Sequence, residues 1–182
     1  MKYKKILILI DLYQEYLEKV YSENKDLLLS SYSIQEEYFN KDGFGWSGAW
    51  IDPLKNHGLE VKQSFYSNET IQKQWAVENN LSTRTNFKSI LAKQIEAYEP
   101  DILLIETVRD FDNLWIKNIK NRYPYVKKIF GHLCNPFYEP ADLQEYDLIF
   151  CCMQWMTKEL NDFGIKTTHM PNAFNSNWIS AD

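Results

Sequence analysis

Apolar residues fall along the chain in two alternating patterns. Short unbroken aliphatic runs, Ile6 to Ile10 and Ile102 to Ile105, are each closed by an acid, Asp11 and Glu106. Runs of this kind predict strands buried on both faces, the habit of parallel sheets. Four further strands are expected at residues 59–66, 126–131, 148–152 and 165–170. Between them lie stretches with helical spacing. Residues 12–25 carry Leu12, Tyr16, Val20 and Tyr21 on one face, and residues 110–123 carry Phe111, Leu114, Trp115, Ile116 and Ile119. Other helices are expected at 30–40, through Leu54, after Asn68-Glu69-Thr70, and over 86–98 and 153–163. Breakers separate these elements: Asn56-His57-Gly58, Glu99-Pro100-Asp101 and Gly164. Strand-length runs alternating with helices give an α/β class, a Rossmann-like doubly wound parallel sheet of six strands with helices on both faces.

The length of 182 residues and the 45% hydrophobic content suit one packed domain and exclude global disorder. The net charge of −5 excludes a general nucleic-acid binder, which needs a basic stripe. Lys117, Lys120, Arg122, Lys127 and Lys128 form a mild basic cluster that reads as a solvated face, with weak membrane-surface association as the alternative. No run reaches the roughly 20 apolar residues of a membrane span. The basic, apolar start ends too soon, at Asp11, for a signal peptide. Cys134, Cys151 and Cys152 lack metal or redox spacing and are expected as reduced thiols, consistent with a cytoplasmic protein.

In open parallel sheets ligands bind beyond the carboxyl ends of the strands, so the closing residues are the candidates for chemistry. These are Asp11, Glu106-Thr107, His132 and Cys152-Met153. Two acids and a histidine at one sheet edge would serve proton transfer or hydroxyl binding. Asp11 and Glu106 also suit capping of the helices that follow. His132 does not, because an irregular Cys134-Asn135-Pro136-Phe137 loop follows it; His57 and His169 read as structural. Residues 42–50 hold three of the six glycines and suit a cover over a cleft. They follow the first strand too late for a dinucleotide fingerprint and lack a phosphate-loop lysine. Trp75 reads as core, whereas Gln74 could reach a sugar hydroxyl.

Three passages together resemble the N-terminal domain of GT-B glycosyltransferases. They are Glu99-Pro100-Asp101 leading into Ile102 to Glu106, Tyr146-Asp147 leading into Leu148 to Cys151, and Leu160 to Lys166 running on to Met170-Pro171-Asn172-Ala173-Phe174. The resemblance covers most of the chain in order. It implies a two-domain enzyme of polysaccharide-biosynthesis type that moves a sugar from a nucleotide-sugar donor to an acceptor hydroxyl. Residues 1–175 would be the acceptor-side domain and 176–182 the start of an interdomain linker. The donor would be held mainly by a C-terminal domain missing from this chain, so this half would be inactive alone. Asp11-Leu12-Tyr13 stands where the family places a glycine-rich turn.

The resemblance implies that His132 contacts the donor sugar. The expected set is His132 and Glu106 as catalytic residues, with Asp11, Tyr13, Gly45, Trp46, Gln74 and Asn135 binding substrate. No metal and no cofactor are expected; the partners are the nucleotide sugar, an acceptor glycan or small molecule, and the missing domain. The rival reading is a non-catalytic Rossmann-like or receiver-like regulatory module. A small nucleotide-dependent enzyme complete in itself is disfavoured by the lack of a phosphate loop.

Overall fold

The computed structural model describes residues 3–135 and 139–172. The expected linker and Pro136-Phe137 lie outside them. Among the described residues six strands form one sheet: β1 (Lys5–Ile10), β2 (Glu60–Phe65), β3 (Ile102–Ile105), β4 (Lys128–Leu133), β5 (Leu148–Cys151) and β6 (Thr167–His169). Every pairing is parallel and the order is β2-β1-β3-β4-β5-β6. Consecutive strands β1 and β2 lie on one side, and β3 onward extends to the other. The order therefore reverses between β1 and β3, which makes that point the topological switch.

Among the described residues eight α-helices flank the sheet: α1 (Gln14–Glu23), α2 (Lys25–Leu28), α3 (Tyr32–Asp42), α4 (Ile51–Asn56), α5 (Glu69–Glu78), α6 (Phe87–Tyr98), α7 (Asn113–Arg122) and α8 (Gln154–Asp162). Alternation along the strands sends side chains to two separate cores. Leu7, Leu9, Leu103, Ile105, Ile129 and Ile149 meet α6, α7 and α8 on one face. Ile6, Ile8, Ile10, Phe65, Ile102 and Leu104 meet α1, α3 and α5 on the other, where Phe130 and Phe150 are only partly buried.

Two aspartates fix how the strands begin. Asp101 Oδ2 accepts from the backbone N–H groups of Lys4 (2.8 Å) and Lys5 (3.0 Å), tying the entry of β3 to that of β1. Asp147 repeats the device between β5 and β4, accepting from Ile129 N–H (2.9 Å) and from Lys128 Nζ (2.8 Å). The Pro-Asp and Tyr-Asp pairs that precede these strands are thus register clamps, because each satisfies backbone donors at a sheet end.

The structure departs from the sequence reading in four places. The helix within 12–25 ends at Asn24 as expected, where the Asn24 side-chain amide and backbone N–H both donate to Val20 O at 2.9 Å, but a short further helix, Lys25–Leu28, follows it. The helix expected from 110 starts at Asn113, where Asp112 Oδ1 accepts from Trp115 N–H (2.8 Å). β4 runs two residues beyond Gly131, since Leu133 is buried and pairs with Cys151. His132 is therefore the penultimate residue of a strand and does not follow one. Finally, the cysteines are not all thiols. Cys134 and Cys152 form a disulfide, with Cα atoms 5.3 Å apart, and Cys151 alone is free and buried. Their separation of 18 residues hides the proximity, but each lies just past the end of one of two adjacent parallel strands. Among the described residues no helix is long and apolar enough to cross a membrane.

Candidate functional site

The carboxyl ends of β1, β3 and β4 converge on a chamber of about 310 Å³ at the switch point. Register explains the convergence. Leu9 pairs with Ile105 and Ile105 with Gly131, so Asp11, Glu106 and His132 come next to one another across three strands. Neither acid caps a helix. Tyr13 occupies the N-cap of α1 without a side-chain bond, and Glu106 is followed by a 3-10 turn, Val108–Asp110. Glu106 Oε2 instead accepts the N–H of Asp11 at 3.0 Å. Asp11 faces Arg109, whose Nη2 lies 3.5 Å from Asp11 Oδ2 while its Nε lies 3.5 Å from Asp110 Oδ1.

Burial sets the protonation of the two central groups. Glu106 is pushed up to about 7, mainly because burial penalises its carboxylate. The Asp11 N–H partly offsets this, and the negative charge of Asp11 adds to it. A carboxyl poised there exchanges protons readily near neutral pH. His132 is driven down by the same desolvation, so its imidazole is neutral at pH 7. Its Nδ1 lies 3.3 Å from Glu106 O. A carbonyl oxygen only accepts, so Nδ1 carries the proton and donates. Nε2 is then a bare acceptor. It is buried and has no hydrogen-bond partner among the described residues, a state that burial makes costly until a hydroxyl or N–H reaches it.

The glycine-containing segment covers this pair. Gly48 adopts φ 71°, and a Cβ there would fall 2.0 Å from Asn40 O, so the chain turns at a point only glycine allows. Gly48 N–H also donates to Gln63 Oε1 at 2.9 Å, which anchors the segment to β2. The anchored turn sets Trp46 over His132, with ring centroids 4.5 Å apart, and against Trp50 at 5.1 Å. Phe44 stacks flat on Tyr16 at 3.8 Å, and Tyr13 meets its edge at 5.9 Å.

Seven of the eight candidate residues thus share one chamber: Asp11, Tyr13, Gly45, Trp46, Glu106, His132 and Asn135. Gln74 is apart from them, on α5 with its amide bound to Glu78 at 2.8 Å. Arg109 and Asn172 also line the chamber and were not anticipated. Arg109 sits in a turn without strand or helix periodicity. Asn172 entered the sequence reading only within the Met170-Pro171-Asn172-Ala173-Phe174 passage. Among the described residues no cluster of three or more His, Cys, Asp or Glu side chains could hold a metal ion.

An apolar cavity of about 220 Å³ adjoins the chamber on the less covered face of the sheet and shares Trp46, Glu106 and His132 with it. No protein-family model matches the chain, and no curated protein is significantly similar to it.

Proposed function

We propose that this chain is the acceptor-side domain of a GT-B glycosyltransferase, in which the chamber at the switch point receives an acceptor hydroxyl. The observation that carries this reading is the pairing of a carboxyl poised near neutrality with a buried, unprotonated imidazole nitrogen. Glu106 takes the acceptor proton as the hydroxyl oxygen attacks the donor's anomeric carbon and the nucleotide leaves. In the domain alone His132 Nε2 accepts from an acceptor hydroxyl; once the donor is in place it accepts from a hydroxyl of the transferring sugar. Arg109, held toward Asp11, places a positive charge at the mouth where the leaving diphosphate develops charge. The donor itself is held mainly by a further domain, so the chain binds acceptors without turning over a nucleotide sugar.

The test is nuclear magnetic resonance of the imidazole nitrogens and the Glu106 carboxyl during titration with methyl glycosides. The expected result is a shift at His132 Nε2 and Glu106 together, lost in His132→Ala. No shift with any glycoside of a broad panel would overturn the reading, and so would nucleotide-sugar turnover by the chain alone.

A second reading has one observation in its favour. The first five strands follow the order 2-1-3-4-5, which receiver domains share. In that reading Asp11 is the acid after the first strand, and Glu106 stands where a phosphorylatable aspartate is needed and cannot replace it. Beryllofluoride with Mg²⁺ shifting these two residues, with glycosides inert, would establish it over the first.

A further inference from the structure

The acceptor chamber does not stand alone. Behind it, between the sheet and α4, lies the 220 Å³ cavity, and its character is different. Its floor is Ile8, Leu104, Phe130 and Phe150, and its roof is Trp50 and Leu54. The polar exceptions are Glu106 and His132, which with Trp46 form the partition between the two spaces. The cavity follows from the uneven covering of the sheet. α4 is only six residues long and buries no side chain completely, so it closes this face incompletely. Phe130 and Phe150 accordingly stay half-buried, edge to face at 5.8 Å.

We infer, resting on the acceptor reading above, that the acceptor is an amphiphile: a hydroxyl-bearing polar group joined to an aliphatic or aryl body of moderate size. The body occupies the apolar cavity and the polar group occupies the chamber, with the partition touching both. Two observations support this. A cavity of about 150 Å³ lined by Leu, Ile and Phe takes up benzene, so one of this size and lining has room for a larger apolar group. His132, 7% exposed, lines both spaces, and its buried Nε2 has no partner among the described residues. A ligand crossing the partition presents a hydroxyl to Nε2 and to Glu106 while its apolar part removes the flanking surface from water. A wholly polar acceptor would engage the chamber and gain nothing from the cavity.

Alkyl glucosides of increasing chain length, from methyl to octyl and below their micelle concentrations, test this on the full chain. Trp46 and Trp50 line the cavity, so intrinsic fluorescence reports its occupation directly. The expected result is an affinity rising about fourfold per added methylene until the chain outgrows the cavity. A blue-shifted emission and the His132 Nε2 shift should accompany it. Leu104→Trp, which fills the cavity, should collapse the octyl-to-methyl affinity ratio at least tenfold. Leu54→Trp, on α4, provides the same reading if the strand variant fails to fold.

Equal affinity along the series, with the His132 shift intact, would overturn the amphiphile and leave the acceptor reading standing. Loss of the His132 shift with every glucoside would overturn both. A chain-length effect that survives both tryptophan variants would mean that the alkyl chains bind elsewhere, again overturning the inference. Octyl glucoside binding only after Phe174→Ser and Trp178→Ser would identify the chain's own end as the occupant, with the same consequence.

Discussion

The two faces of the sheet are built to different standards. One face is sealed. α6, α7 and α8 lay aliphatic and aromatic side chains onto Leu103, Ile105, Ile129 and Ile149, and most of that cluster is fully buried. α6 and α7 start at side-chain caps, Asn86 and Asp112. The other face is closed by α1, α3 and α5 except at the cavity against β1, β3, β4 and β5, which is bordered by the short α4, packed beside β2, and a glycine-pinned turn. That loosely covered region holds the cavity, Glu106 and His132 together. The comparison teaches that stability and ligand chemistry are separated across a single sheet, only a few ångströms thick. Close packing leaves no room for a ligand, so a site must be placed where packing is given up.

The largest predicted effect tests that division directly. Ile149→Ala, on the sealed face, should cost about 2–5 kcal/mol in urea unfolding, because a tightly packed site leaves a cavity that cannot collapse. Leu104→Ala, beside the existing cavity, should cost at least about 1 kcal/mol less, since Leu104 has fewer neighbours to lose. Equal costs would erase the distinction between the faces.

Next in size is a pH effect confined to the open face. Glu106 has a folded-state value of about 7 against an ordinary 4.5. Its contribution is therefore fully present below the ordinary value and is lost as pH rises through 7. Wild-type stability should fall relative to Glu106→Gln by about 2–3 kcal/mol between about pH 5 and about pH 8. Parallel stability curves for the two proteins would show that Glu106 is not desolvated.

A smaller effect probes the sealed face by overfilling. A Cβ on Gly131 would lie 2.5 Å from Val108 Cγ1 and 3.1 Å from the Tyr146 ring. Gly131→Ala should cost about 1–3 kcal/mol although it adds only a methyl group, measured by the same unfolding. The smallest is the cap of α6. Asn86 Oδ1 accepts from Ser89 N–H at 2.9 Å, and Asn86→Ala should lower stability by about 1 kcal/mol in thermal or urea unfolding without moving ligand binding.

Much of this was legible from periodicity. Aliphatic runs located β1 and β3, strand-length apolar patterning located the other four strands, and the acids after those two runs marked carboxyl ends where ligands bind. His132 stood out because no helix followed it. Other features were hidden for identifiable reasons. The role of Asp101 and Asp147 as clamps depends on the strand beside each, which no local pattern names. Arg109 sits in a turn with no period to read. Cys134 and Cys152 look unrelated at a separation of 18 residues and become neighbours only once β4 and β5 pair.

The sequence by itself determined the α/β class and the strands and helices that compose it, because burial on one or both faces imprints a period on the chain. Tertiary structure alone decided the order β2-β1-β3-β4-β5-β6, the disulfide, and the way Glu106 and His132 share one desolvated wall. Those depend on which strands lie side by side and how deeply a residue is buried, and neither is written in the spacing of residues along the chain.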